Sequence, residues 1–124
     1  MTATASLPSA WTAQAAEALR AAADHRAAIT AMLGYLPLPA PTVVARPEAV
    51  YVSVAKADDL GCWLEALGGE IHRSVPFEGV QLWSLRTFTP PGASGARVPI
   101  RVSVPLPVGE SVMPELARAL AVAA

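Results

Sequence analysis

The chain has a single cysteine, Cys62, and only two histidines, His25 and His72. One cysteine excludes an intramolecular disulfide and a metal site built from cysteines alone. A site with three protein ligands would need carboxylates from distant segments, because His25 has no second histidine or carboxylate at the spacing of a zinc site. We therefore expect no metal and no other cofactor, and a reducing, cytoplasmic setting.

Charged residues are also scarce, at 15% of the chain, and the formal net charge is −1. This balance provides no overall attraction to nucleic acid or to an anionic membrane. Residues 1–11 lack the basic and apolar regions of a signal peptide. Residues 10–36 are rich in alanine, but four charged residues and a histidine interrupt them, which argues against a membrane-spanning helix. We therefore expect neither membranes nor nucleic acid among the partners.

Asparagine is absent, and lysine occurs once against eight arginines. We interpret this bias as that of a GC-rich bacterial genome. Hydrophobic residues make up 53% of the chain, which is enough for a packed core. A length of 124 residues fits one domain.

Sequence motifs for phosphate binding and for catalysis are missing. The pair Gly68-Gly69 follows a predicted helix instead of opening one. Asp58 is explained as a helix N-cap, and Asp59 as a favourable charge beside the helix N-terminus. Cys62 is predicted to be a small buried residue. The sequence therefore favours a protein that is not an enzyme.

The hydrophobic period changes from 2 to 3.6 and back to 2 within residues 50–104. This pattern predicts strands over 49–55, 70–75, 80–88 and 97–104, a helix over 59–67, and a final helix from Ser111. Pro99 and Pro105 lack N–H groups, which predicts an edge strand or a strand whose outer side is unpaired. The predicted fold class is α+β, a four-stranded, mainly antiparallel sheet in α-βαβββ-α order with helices packed on it.

The second and third predicted strands form a hairpin whose register can be argued from their side chains. One register separates apolar from polar residues better than its alternative. Its pairs are Ile71 with Leu85 and Arg73 with Trp83 on one face, and Glu70 with Arg86 and His72 with Ser84 on the other. This register requires an odd-length loop or a bulge near Gly79.

The chain before the first predicted strand contains a long helix. Ser9 is its predicted N-cap, and Gly34 is its predicted stop. Residues 11, 15, 18, 22, 25, 29 and 32 form a heptad seam that is mostly alanine. The seam is either a dimerisation surface or the face that packs on the helix's own domain. We predict an Ala-rich helix in 1–36, a proline-rich connector in 37–48 and a compact α+β core in 49–124, together one structural domain.

Histidine, arginine and tryptophan on the predicted sheet are the candidates for a ligand-binding site or an interface. They are His72, Arg73, Trp83, Arg86 and Arg101. Tryptophan and arginine are enriched at protein interfaces. We therefore predict a small interaction or accessory module that forms a homodimer or binds another protein. The alternative is a small-molecule-binding protein or enzyme of metal-free βαβββ type, with a pocket near His72, Trp83 and Arg101.

The βαβββ order of residues 50–104 is similar in topology to one module of the glyoxalase/bleomycin-resistance/extradiol-dioxygenase family. Modules of that family work in pairs, within one chain or across a dimer, and enclose a ligand cleft. Its metal-dependent members use histidine and glutamate on the strands. Here the first strand has Tyr51 and Ser53, and the last has Arg101 and Ser103. Within that family the residues therefore disfavour the metal-dependent enzymes and leave a metal-free binding module open.

Overall fold

The computed structural model of the protein describes residues 9–92 and 95–121, without the side chain of Ser9. Its elements are helix α1 (Ser9–Tyr35), strands β1 (Thr42–Ala45) and β2 (Val50–Ser53), helix α2 (Ala57–Leu67), strands β3 (Glu70–Arg73), β4 (Val80–Phe88) and β5 (Pro99–Pro107), and helix α3 (Pro114–Arg118). The cap predicted at Ser9 depends on a side chain that lies outside the described part.

The five strands form one mixed sheet in the order β1-β2-β5-β4-β3. Strands β2 and β5 are parallel, and the other neighbouring pairs are antiparallel. The α+β class is therefore confirmed, but the prediction of four strands is wrong. The additional strand, β1, lies in the segment that was expected to be a connector. Its β-branched residues Thr42, Val43 and Val44 favour pairing with β2, and Pro41 and Pro47 flank it and keep it short.

The register predicted for the β3–β4 hairpin is confirmed, since all four predicted pairs occur. The bulge predicted near Gly79 lies earlier in the chain. Between the pairs Arg73–Trp83 and Phe77–Val80, three residues (74–76) face two (81–82), so the β3 side carries one extra residue there. The two turn residues, Glu78 and Gly79, have φ angles of 50° and 80°. Positive φ at both positions is typical of the two-residue turn that matches the twist of a hairpin.

Strand β5 lies between β2 and β4, so the prediction of an edge strand is wrong. The alternative prediction was a strand with one unpaired side. It holds at the two ends of β5, where the side toward β2 has no partner strand. The Val54 N–H donates to the Ser103 carbonyl, so odd-numbered β5 residues direct their backbone groups toward β2. Strand β2 pairs only with residues 100–103, and Pro99 and Pro105 lie just outside that stretch. Their missing N–H groups therefore remove no bond from the ladder.

Helix α2 begins at Ala57, earlier than predicted, so Asp58 and Asp59 lie in its first turn and Asp58 is not its cap. Both carboxylates still interact favourably with the helix N-terminus. The predicted stop at Gly68 is confirmed, because its φ is 72° and its N–H donates to the Leu64 carbonyl at 2.7 Å.

The other two helices also differ slightly from their predicted bounds. Helix α1 continues through Gly34 and ends at Tyr35. Helix α3 begins at Pro114 rather than at Ser111, and a proline at the first helical position has no N–H bond to lose. The chain after α3 then reaches β3, where the Ala121 N–H donates to the Ile71 carbonyl and closes that edge of the sheet.

One face of the sheet packs against α1 and α2 and forms the core. The buried residues include Val50, Val52, Ile71, Leu85, Ile100, Val102 and Val104 of the strands, Ile29 and Met32 of α1, and Leu60 and Trp63 of α2. The indole N–H of Trp63 donates to the Pro39 carbonyl at 2.7 Å, which fixes the segment between α1 and β1. No helix of the described chain covers the other face of the sheet.

Candidate functional site

The uncovered face of the sheet, which we call the open face, carries two rows of side chains that cross the strands. Strand pairing contributes one residue of each strand to each row. The arginine row, from β3 to β1, is Glu70, Arg86, Arg101, Tyr51 and Val44. The serine row is His72, Ser84, Ser103, Ser53 and Thr42. All ten side chains are exposed or half-buried, whereas the residues between them along the strands face the core.

Arg86 and Arg101 are directly opposite each other at the centre of the arginine row. They form a non-hydrogen-bonded pair, the type that brings cross-strand side chains closest. Like charges in this position destabilise a sheet. Within the described residues the Arg86 side chain makes no hydrogen bond or ion pair, and the Arg101 guanidinium packs over Tyr51, 5.7 Å from the ring centre. Among the described residues neither arginine forms a salt bridge, although Glu70 is the cross-strand neighbour of Arg86 and Arg101 lies close enough to Glu48 to act on it.

Tyr51 is surrounded by charged groups. Its hydroxyl donates to Glu48 Oε2 at 3.1 Å, and the Arg46 guanidinium lies 5.9 Å from the ring centre. The pKa of Glu48 is lowered from its ordinary value of 4.5. The causes, in decreasing order, are a backbone hydrogen bond, the Tyr51 hydroxyl, and the positive charges of Arg46 and Arg101. Glu48 is therefore an ionised carboxylate at neutral pH.

Replacing Tyr51 by phenylalanine removes the hydroxyl and keeps the ring. We expect the pKa of Glu48 to rise toward 4.5, because one bond to the ionised form is lost. In the wild type the lowered pKa stabilises the fold above the unfolded-state value, and this stabilisation disappears as the pH falls through the folded-state pKa. A carbon-detected NMR titration of the carboxyl group measures the shift. Tyr35→Phe is the matched control, and a Glu48 titration that is identical in the wild type and Tyr51→Phe would show that the hydroxyl contributes nothing.

The serine row contains short polar contacts but no nucleophile–base pair. The Ser84 and Ser103 hydroxyls are 3.1 Å apart. His72 Nε2 lies 3.5 Å from Glu70 Oε2, and both side chains are accessible to solvent. Nucleophilic catalysis needs a hydroxyl or thiol bonded to its base. The described contacts of His72 do not include one.

The end of the open face beside the hairpin turn is apolar. Phe77, Val80 and Leu82 are 67%, 45% and 41% exposed, and the adjacent Val75 and Val108 are 86% and 51% exposed. A bond from the Val108 N–H to the hairpin turn brings the β5–α3 connection into this group. We call these five residues the hairpin patch. Exposed apolar patches bordered by polar residues are typical of interaction sites.

Trp83 and Arg73 belong to the covered face. Trp83 is buried, and the Arg73 guanidinium lies 5.4 Å from the centre of a Trp83 ring at the edge of the core. The structure therefore brings His72, Arg86 and Arg101 together on the open face and separates them from Arg73 and Trp83. Of the three side chains predicted to lie near a pocket, His72 and Arg101 are on the open face and Trp83 is on the covered face.

Two charged residues beside the open face were missed from the sequence. Arg46 and Glu48 follow β1, and without that strand nothing placed them near Tyr51. The β-branched run Thr42, Val43 and Val44 was the available signal, although the strand is only four residues long. The prediction for Cys62 is wrong, because its side chain is exposed on the outer side of α2.

Residues 9–92 and 95–121 contain no group of three or more histidine, cysteine, aspartate or glutamate side chains that could hold a metal ion. In the same part of the chain, no helix combines the length and apolar character needed to cross a membrane. A scan of family models and searches of curated proteins and of solved structures found no match to this chain. The similarity to a glyoxalase-family module therefore rests on the order of elements alone.

Proposed function

We propose that the protein is a small, non-catalytic interaction module that self-associates through helix α1. The heptad seam of this helix forms an apolar stripe, and the course of this stripe along the helix carries the proposal. The stripe is buried at Met32 and Ile29, half-buried at Ala22, and exposed at Ala15 and Trp11. It therefore continues beyond the surface that its own domain covers.

The part of α1 without a fully buried side chain is long. Residues 10–27 span about 27 Å at the usual helical rise, and none of their side chains is fully buried. Trp11 and Leu19 within this part are 63% and 74% exposed. Helices in proteins gain most of their stability by packing an apolar face. A second copy of α1 would supply that packing here.

The distribution of charge along α1 favours a second copy as the partner. Glu17, Arg20 and Asp24 lie on the side of the helix opposite the stripe, which itself carries no charged residue before His25. A two-fold axis places identical stripes against each other, and alanine permits close approach of the helices. Alanine also buries little area, so we expect a weak dimer with a dissociation constant in the micromolar range.

Ala15→Glu and Ala13→Glu form a matched pair for testing this dimer. Both positions are exposed near the start of α1, but only Ala15 lies on the stripe. We expect Ala15→Glu to raise the dissociation constant at least about tenfold, because it forces a carboxylate into an apolar contact. Ala13→Glu makes the same chemical change on the other side of the helix and should leave the constant within about twofold. Sedimentation velocity over the micromolar range measures both.

Two results would contradict self-association through α1. One is a wild-type protein that sediments as a monomer over the whole concentration range. The other is an equal effect of the two substitutions, with the helix content unchanged by circular dichroism. The second result would mean that the dimer forms through another surface, or that an added charge anywhere on α1 weakens the dimer without lying in the contact.

Small-molecule binding is a second candidate function, supported by a cleft of about 620 Å³ between α1 and the β4–β5 connection. Its lining combines apolar Met32 with the polar side chains of His25, Tyr35 and Arg97. Such a mixture is typical of ligand sites. A fragment screen by NMR tests this candidate through the ring signals of His25 and Tyr35. A screen in which these signals do not shift rejects it.

A further inference from the structure

We propose that the arginine row of the open face binds an acidic, extended segment of a partner protein, and that the hairpin patch receives an apolar side chain of the same segment. The first observation is the like-charge pair Arg86–Arg101, which is a local conflict in the sheet. Local rules of this kind are most often broken at functional sites. A carboxylate bound beside the two arginines would offset the repulsion between them.

A groove of about 430 Å³ extends the arginine row beyond Arg86. It is lined by Leu67, Gly69, Glu70, Arg86, Thr87, Phe88 and Arg97. The Arg97 guanidinium lies 5.3 Å from the centre of the Phe88 ring, and its Nε donates to the Thr89 carbonyl at 3.2 Å. These contacts hold Arg97 in place at the rim. The groove therefore combines two arginines with apolar side chains and one carboxylate, Glu70. Its two arginines suit an acidic side chain with an aliphatic stem.

The arginine row and its border carry more positive than negative charge, although the whole chain has a net charge of −1. Four arginines lie there: Arg46, Arg86, Arg97 and Arg101. The carboxylates of this part are Glu48, which accepts the Tyr51 hydroxyl bond, and Glu70, which lies beside His72. Glu78 and Glu110 lie at the other end of the face, beside the hairpin patch. The excess of positive charge in the row attracts an acidic partner and sets its orientation.

The hairpin patch distinguishes a protein segment from a nucleic acid strand. Leu82 and Arg86 are four residues apart on β4, so an apolar anchor and a carboxylate site lie about 13 Å from each other. An extended peptide covers that distance in about four residues. A nucleic acid requires a continuous basic surface, whereas Glu48 and Glu70 interrupt this one and the patch is apolar.

Fluorescence anisotropy with a labelled peptide tests the proposal. The probe is an extended peptide of about twelve residues with two glutamates and a leucine four residues away, used in both sequence directions. We expect saturable binding that weakens with salt, and at least about tenfold weaker binding to Arg86→Gln and to Arg101→Gln. Phe77→Ser should weaken the same complex through loss of the apolar anchor. Arg118→Gln removes an exposed arginine away from the open face and should bind within about twofold of the wild type.

A second measurement, without peptide, separates charge relief from damage to the fold. Arg86→Gln should raise the melting temperature at about 0.01 M salt and raise it less at about 1 M, because salt screens the repulsion between Arg86 and Arg101. A lower melting temperature at both salt concentrations overturns the assignment of these two residues as a repulsive pair.

Three results of the binding experiment overturn the proposal. They are an acidic peptide that does not bind at millimolar concentration, binding that both arginine substitutions leave unchanged, and an oligothymidylate of equal length that binds more tightly than the peptide. The sedimentation experiment on Ala15→Glu concerns a different surface. The failure of one proposal therefore leaves the other intact.

Discussion

Trp63→Ala is expected to lower the free energy of unfolding by about 4 to 6 kcal/mol. Trp63 has no exposed surface and is among the largest buried side chains, so its loss leaves a cavity between α2 and the sheet. The substitution also leaves the Pro39 carbonyl without its bond from the indole N–H. A domain of this size has roughly 5 to 15 kcal/mol of stability in total. We therefore expect an unfolding transition at much lower urea concentration than in the wild type.

Two further variants separate the contributions of Trp63. Trp63→Phe keeps most of the ring volume and loses the N–H, so a smaller loss of about 1 to 3 kcal/mol is expected. Trp11→Ala removes the same residue type from a position that is 63% exposed and should change stability by no more than about 0.5 kcal/mol in dilute protein. Equal effects of the two alanine substitutions on the urea midpoint would contradict the burial of Trp63.

Gly69→Ala is expected to destabilise the protein by about 3 to 5 kcal/mol. Gly69 has a φ of 118°, a conformation that residues with a side chain rarely adopt. A Cβ at this position would also overlap the Arg86 carbonyl oxygen and lie 3.1 Å from the Thr87 Cβ. The Arg86 carbonyl belongs to the backbone of β4, so it cannot move without disturbing the sheet. Urea unfolding measures the loss.

Two other glycines are controls for the cause of that loss. Gly79 has a φ of 80° but open space around it, so Gly79→Ala should show the backbone effect alone, about 1 to 2 kcal/mol. Gly34 is helical with open space, so Gly34→Ala should stabilise the protein by about 0.5 to 1 kcal/mol. If Gly69→Ala and Gly79→Ala lowered stability equally, the close approach of residue 69 to β4 would have no energetic consequence.

The hairpin shows why part of the open face was predictable. Strands β3 and β4 alternate apolar and polar residues, and a shift of one residue would move every side chain to the other face. Only one register keeps Ile71 with Leu85 and Glu70 with Arg86, so the sequence placed Arg86 and His72 on one face and Trp83 on the other. The same local logic located the stop of α2 at Gly68.

The rest of the open face depends on contacts between distant parts of the chain. Strand β1 is short and flanked by proline, and its order comes from pairing with β2 rather than from its own pattern. Arg86 faces Arg101 only because β5 inserts between β2 and β4. The alanine seam of α1 was visible in the sequence, but the point at which the domain stops covering it was not.

By itself, the sequence determined the α+β class, the hairpin register and the absence of a recognised catalytic motif, because these follow from local periodicity and residue type. Only the tertiary structure decided the sheet order, the pairing of Arg86 with Arg101, the position of Arg101 on the same face as His72, and the exposure of Trp11. The physical reason is that these features arise from the packing of segments far apart in the chain. Such packing leaves no periodic signal in any one segment.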